Sequence, residues 1–224
     1  KRDRIRKKII KDFSRKYKNL FNNMNILFAG SPSMSAEILE HLVQNKDLNV
    51  ITVLTQPDKR RKRGTGKHET PVSRVARKHS IKTLKPKTID KTFVSTELSR
   101  SNIDLILVVA YGHILPKEML NIPKIMSMNI HFSLLPKYRG ASPIQSAIIN
   151  GDKKTGISFM KIIEKMDAGE VIYKADIKID NEDTKTVLEN KLTSLAISKM
   201  DGVLNSLQKD DYKLIKQSES DASY

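Results

Sequence analysis

Three short apolar runs restrict the fold more than any other feature: Asn25–Ala29 (NILFA), Val50–Leu54 (VITVL) and Ile103–Val109 (IDLILVV). They are continuous rather than alternating, the pattern of strands covered on both faces. None approaches the roughly 20 residues that a membrane-spanning helix needs. Helical stripes separate them. Gly30 turns the chain, Ser31 is placed to cap, Pro32 suits a first helical position, and Ala36, Leu39, Leu42 and Val43 mark one face through Gln44. Thr70-Pro71 starts a second helix with Val72, Val75 and Ala76 inward. Ile81–Leu84 reads as a short strand and Ile89–Ser101 as a weaker helix. Met126–Phe132, Ile157–Ile163 and Val171–Ile179 read as further strands, and Thr184–Leu207 as a long last helix. This alternation predicts an α/β domain, a doubly wound, mostly parallel sheet with helices on both faces. In such sheets ligands bind beyond the carboxyl ends of the strands, where the strand order reverses.

Charge is the second constraint. The 224 residues carry 41 Lys+Arg against 25 Asp+Glu, a formal +16, which points to a polyanionic partner. Thirteen of those sixteen charges sit in two segments. Residues 1–23 hold ten Lys/Arg and two Asp, and Asp58–Lys67 (DKRRKRGTGK) holds six and one. In the first, Ile5, Ile9, Phe13, Tyr17 and Leu20/Phe21 form one stripe of a basic amphipathic extension, a type that binds RNA or an anionic membrane, or is simply a solvated face. Its acids and scarce serine match a transit peptide poorly. The domain itself is expected over residues 24–209, with the polar 210–224 as the start of a linker. Cysteine is absent, which excludes disulfides, thiolate zinc sites and a cysteine nucleophile.

Several motifs fail on inspection. Gly30-Ser31-Pro32-Ser33 lacks the later glycines of a dinucleotide fingerprint, and Pro32 removes an amide that phosphate would use. Gly64-Thr65-Gly66-Lys67-His68 has Arg61 and His68 where a phosphate loop needs glycine and Ser/Thr. The five histidines (41, 68, 79, 113 and 131) form no metal-ligand spacing, so no metal is expected.

One stretch survives. In Met128–Pro136 (MNIHFSLLP), Asn129 and His131 lie two apart and project from one face of a strand. At a strand's carboxyl end they make a donor pair aimed at one point, as a tetrahedral oxyanion requires. The following SLLPKYRG is punctuated by Pro136 and Gly140, a loop whose backbone is expected to be free for a ligand. Asp167, in the turn after the next strand, would supply the acid/base. Periodicity alone leaves both readings open: His131 between Ile and Phe also fits a packed, hydrogen-bonded residue, and Asp167 before Ala-Gly a plain turn.

The segment NIHFSLLPKYRGASPIQ resembles the signature of the folate-dependent formyltransferases. MNILFAGSP at Met24–Pro32, VLTQPD at Val53–Asp58 and VVAYGHILP at Val108–Pro116 extend the likeness. NGDKKTGISFMKI at Asn150–Ile162 and MDAGEVIYK at Met166–Lys174 carry it on, so that it spans about residues 24–224. The resemblance implies a Rossmann-like catalytic domain that transfers a formyl group from 10-formyltetrahydrofolate. In the branch it resembles, the acceptor is the amino group of methionyl initiator tRNA, for translation initiation. By matching positions, Asn129, His131 and Asp167 correspond to the catalytic residues, and Ser133, Leu134, Leu135 and Pro136 to the tetrahydrofolate-binding loop. Lys59, Arg60, Arg61, Lys62, Arg63 and Lys67 fall in the loop that meets tRNA. The small carboxy-terminal barrel of the family is not in the chain, which implies a fragment or a reduced enzyme. A monomer is expected, with no membrane partner, in the bacterial cytoplasm ahead of the mitochondrial matrix. The competing readings are a sibling enzyme acting on a nucleotide sugar or purine precursor, a formyl-folate hydrolase, and a silent RNA-binding remnant. TQPD, the basic loop and ASPIQ favour the tRNA branch.

Overall fold

The computed structural model describes residues 23–60 and 67–224; the amphipathic stripe of the extension and the basic residues Arg61, Lys62 and Arg63 lie outside the described residues. In chain order the elements are β1 (Met24–Gly30), α1 (Ser33–Gln44), β2 (Leu48–Leu54), β3 (Lys59–Arg60) and β4 (Lys67–His68). Then come α2 (Pro71–Lys78), β5 (Lys82–Leu84), α3 (Lys91–Phe93), which runs into a π-helical turn at Val94–Leu98, β6 (Leu105–Val109) and α4 (Lys117–Leu120). β7 (Met126–His131), α5 (Pro143–Ile149), β8 (Lys154–Lys161), β9 (Val171–Lys178) and α6 (Lys185–Gln208) complete the described chain.

Seven strands form one sheet in the order β5-β2-β1-β6-β7-β8-β9. The first five pair in parallel, and β8 and β9 are antiparallel additions beyond β7. The order reverses between β1 and β6, so the carboxyl ends of β1, β6 and β7 open onto a common edge at the switch point. The continuous apolar runs are explained by two cores. Ile26 and Phe28 of β1 face one cluster with Leu39, Leu107, Met128 and Met200, whereas Leu27 and Ala29 face a second with Leu54, Ile106, Leu98 and Met119. Both faces of the central strands are therefore dry, as a parallel sheet between helical layers demands.

The helix starts follow their local signals unevenly. Thr70 caps α2 by accepting from the Ser73 amide at 3.0 Å, and Pro71 occupies its first turn. Ser31 does not cap α1. Its hydroxyl accepts from the Gln56 amide at 3.1 Å, tying β1's exit to β2's, while Pro32 takes the cap position without a side-chain bond. The helix expected at 89–101 is confined to 91–98 as α3 and its π turn, Asp90 capping it by accepting from the Phe93 amide at 2.8 Å. The short α4 and α5 gave no clear periodic signal. α5 starts with Pro143 in its first turn, the one mark that could have revealed it.

Gly30 is required by proximity. A Cβ there would lie 2.8 Å from both Ser35 Cβ and the Val109 carbonyl, where the Ser35 hydroxyl donates to that same carbonyl at 2.6 Å. The first turn of α1 is thereby pinned to the end of β6. Gly30→Ala should destabilise the domain by about 1–3 kcal/mol through overpacking. The check is a urea titration, in which the midpoint should fall while the slope stays unchanged.

Candidate active site

β7 delivers Asn129 and His131 to the edge. In the register, Asn129 lies opposite Val108 of β6 and Met160 of β8, and His131 opposite Ser158. The alternation of a strand sends both side chains to one face. His131 is buried, and its Nε2 sits 2.7 Å from the Tyr138 carbonyl. A carbonyl only accepts, so Nε2 carries the hydrogen. Nδ1 then faces the Asp167 carboxylate at 3.6 Å, within ion-pair reach but beyond a hydrogen bond. Asn129 is half-buried, and its side-chain amide donates to no protein group among the described residues.

Asp167 comes from the turn between β8 and β9. Its backbone is left-handed (φ 46°), and its Oδ2 accepts from the Gly140 amide at 2.8 Å while facing His131. Gly169 makes this turn possible, since a Cβ there would collide with the Lys161 carbonyl. Thus one carboxylate joins three chain segments: the turn that bears it, the strand end with His131, and the loop residue Gly140.

The 132–140 loop differs from expectation. Its backbone is largely committed within the protein rather than open. The Ser158 hydroxyl receives the Leu135 amide at 3.0 Å and donates to the Ser133 carbonyl at 2.7 Å, and Lys174 donates to the Leu135 carbonyl at 2.5 Å. The Ser133 hydroxyl donates to the Lys137 carbonyl, and the Leu135–Pro136 peptide is cis. The reason is burial: Ser133 and Leu135 are inside, and buried backbone polar groups need partners. Leu134 and Pro136 are half-exposed and remain the accessible members of the four. Tyr138 and Gly140 take positive φ (57° and 102°), which curls the loop back so that the Tyr138 carbonyl reaches His131.

Residues 210–224 pack back onto this loop, and the polarity that read as a linker is used in specific contacts. The Arg139 side chain is wholly buried and gives Nε to Gln217 at 3.1 Å and Nη2 to Glu219 at 3.0 Å. Its Nη1 reaches Glu219 at 3.2 Å and the Tyr224 hydroxyl at 3.3 Å. The Arg139 hydrogen bond, followed by that of Lys165, pulls the Glu219 carboxyl down from 4.5 to about 2. A depressed carboxyl stabilises above its ordinary range and loses that contribution as pH falls toward 2, so this contact stays charged at every ordinary pH. None of Tyr138, Arg139, Gln217 or Glu219 stood out in the sequence, because their partners are set by the folded path of the chain. The Arg-Gly of YRG was the nearest signal.

The remaining expected residues are separate. Lys59, Arg60 and Lys67 belong to a two-stranded antiparallel ribbon, β3–β4, that leaves the same edge after β2. In the sheet order β2 stands three strands from β7, roughly 14 Å at the usual spacing. Asp58, at its base, accepts from Lys85 at 2.6 Å. On the neighbouring β6 exit, burial pushes the Tyr111 hydroxyl up to about 12, and its carbonyl accepts from Gln56 at 3.1 Å. Among the described residues no group of three His, Asp or Glu could hold a metal ion, and no helix is long and apolar enough to cross a membrane.

Comparison with known proteins bears on the family and the fold. The chain is 41% identical over 201 residues to the methionyl-tRNA formyltransferase of Thermotoga maritima and 42% identical to that of Halothermothrix orenii. Each alignment covers 90% of this chain and 64% of the relative, so the chain spans a little under two thirds of their length. Among solved structures, phosphoribosylglycinamide formyltransferase of Anaplasma phagocytophilum superimposes with a TM-score of 0.72 at 21% identity, covering 88% of this chain and 96% of that one. The N-formyltransferase of Helicobacter canadensis, in complex with folinic acid and dTDP-3-aminofucose, gives 0.67 at 21% identity over 90% of this chain and 70% of its own. At these identities the structural likeness speaks to the fold. The sequence of residues 23–203 matches the formyl transferase family, and on that match, with an edge built by β1, β6 and β7 behind it, the chain belongs to the formyl transferases.

Proposed function

We propose that the chain transfers the formyl group of 10-formyltetrahydrofolate to the amino group of methionyl initiator tRNA, in the bacterial cytoplasm. The observation that carries the chemistry is the approach of His131, at the end of β7, to Asp167, in the turn after β8, beside an Asn129 amide with no protein partner among the described residues. The acceptor rests on the names of the relatives at 41–42% identity.

The reaction forms a bond from the amine nitrogen to the formyl carbon, breaks the bond from that carbon to folate N10, and moves one proton from the amine to N10. Between the two bond changes the formyl oxygen carries negative charge. Asn129 donates to that oxygen from the strand end. Protonated His131 carries a second hydrogen on Nδ1 and contributes it, the Nε2 hydrogen being held by the Tyr138 carbonyl, which also fixes the ring plane. Asp167 keeps a hydrogen on Nδ1 and receives the amine proton, directly or through water, before it passes to the departing nitrogen. Leu134 and Pro136 offer the accessible apolar surface of the loop to the folate, while Ser133 and Leu135 support it from within. The basic stretch Lys59–Lys67 meets tRNA phosphates. Its ribbon leaves the sheet on the edge where the reacting groups gather.

The direct test is formylation of charged initiator tRNA by the purified chain, with elongator tRNA and water as competing acceptors. Preference for the initiator supports the reading; formyl-folate hydrolysis without transfer would convert it to a hydrolase. Asn129→Ala and His131→Ala should each lower kcat by about 10²–10³, the usual effect of removing one oxyanion donor. KM for the folate should stay within about threefold, because the interaction is made only in the transition state. Near-normal turnover by His131→Ala would refute the assignment. Replacing Arg60, Arg61, Lys62 and Arg63 by Gln should flatten the dependence of log affinity for tRNA on log salt. The expected loss is roughly 0.7–0.9 for each phosphate contact removed. An unchanged slope would make that stretch a solvated surface loop.

A further inference from the structure

We propose that Gln217 is a positioning residue for Asp167, and that residues 215–224 form a strap holding the 132–140 loop and the 165–169 turn in one arrangement. The amide nitrogen of Gln217 donates to two carbonyls of the acidic turn, Asp167 at 2.8 Å and Gly169 at 2.7 Å. Its amide oxygen accepts from Arg139 Nε at 3.1 Å. One side chain therefore spans the two loops that, among the described residues, bring His131 its partners. It brackets Asp167, whose left-handed backbone has to be held by its surroundings.

The rest of the strap supports that bridge. Ile215 exchanges two backbone hydrogen bonds with Val171, at 2.8 and 2.9 Å, fixing the strap's entry beside β9. Ser223 receives the Tyr138 amide on its hydroxyl at 2.9 Å and the Arg139 amide on its carbonyl at 2.8 Å, and gives its own amide to the Pro136 carbonyl at 3.2 Å. Glu219 pairs with Arg139 on one loop and with Lys165 of the turn, the latter at 2.7 Å. A buried guanidinium left without its carboxylate is costly, so Arg139 favours the closed strap strongly. The geometry also explains how the Tyr138 carbonyl stays aimed at His131 Nε2. The residues on either side of it, Tyr138 and Arg139, both have their amides tied to Ser223.

Gln217 touches no reacting atom on this account; it acts through the Asp167 backbone. Its catalytic consequence rests on the formyl-transfer reading, but its structural consequence does not. The Gly140 amide donates to Asp167 Oδ2, so hydrogen exchange at Gly140 reports the carboxylate's position without any substrate. In the full chain, Gln217→Ala and the isosteric Gln217→Glu, which turns the donor into an acceptor facing two carbonyls, should each speed Gly140 exchange at least tenfold. Amides of β1 should keep their protection. The kcat for formyl transfer should fall at least tenfold, with KM for the folate within twofold. Unchanged Gly140 exchange in Gln217→Glu overturns the proposal. So does loss of protection throughout β1, which would make Gln217 a general stability element. If the wild-type chain transfers no formyl group, the functional reading fails alone, and Gly140 exchange still decides the strap.

Discussion

The arrangement depends on the single carboxylate of Asp167. Its Oδ2 takes the Gly140 amide and faces His131, so the turn after β8 and the loop after β7 meet at one oxygen atom. Neither segment could define the site alone. The strand end fixes His131 and Asn129 by pleat, a rigid device, but it cannot decide what stands opposite the imidazole. That depends on a left-handed residue in a turn that a neighbouring glycine lets approach the Lys161 carbonyl.

The imidazole is constrained from both sides. Nε2 is occupied by a backbone carbonyl, which leaves Nδ1 as the nitrogen facing Asp167. At 3.6 Å from Asp167, Nδ1 makes no full hydrogen bond to the carboxylate. Catalytic contacts commonly lengthen without substrate and tighten when it binds. Among the described residues the Asn129 side-chain amide, on the same strand face, has no protein partner. The Tyr138 carbonyl holds the ring on one edge, and the cost of arranging this falls on the loop, where Tyr138 and Gly140 adopt positive φ.

Much of the fold was legible because burial on two faces leaves an unmistakable trace: NILFA and IDLILVV can hardly be anything but covered strands. Asn129 and His131 were legible through the period of two, and Asp167 through its place in a turn after an apolar run. The state of the SLLP backbone was not. Whether a peptide group is free or bound depends on Ser158 and Lys174, more than twenty residues away, and no local pattern records that. The strap was invisible for the same reason. A run of Ser, Glu, Asp and Gln has the composition of a linker, and only Arg139, a charge carried into the interior, reveals that those polar groups have partners. Ser31 fell between these cases: a proper capping residue, but one that lies a residue ahead of the cap position and takes the Gln56 amide instead.

Whether His131 and Asp167 act as one unit is read out by a double-mutant cycle in formyl transfer. With His131→Ala, Asp167→Ala and the double variant measured in single-turnover reactions, strong non-additivity is expected. The double variant should be no more than a few-fold slower than the slower single variant. Losses that multiply, each substitution costing the same factor whether or not the other is present, would mean that the two side chains work independently and that their meeting across the loops is incidental.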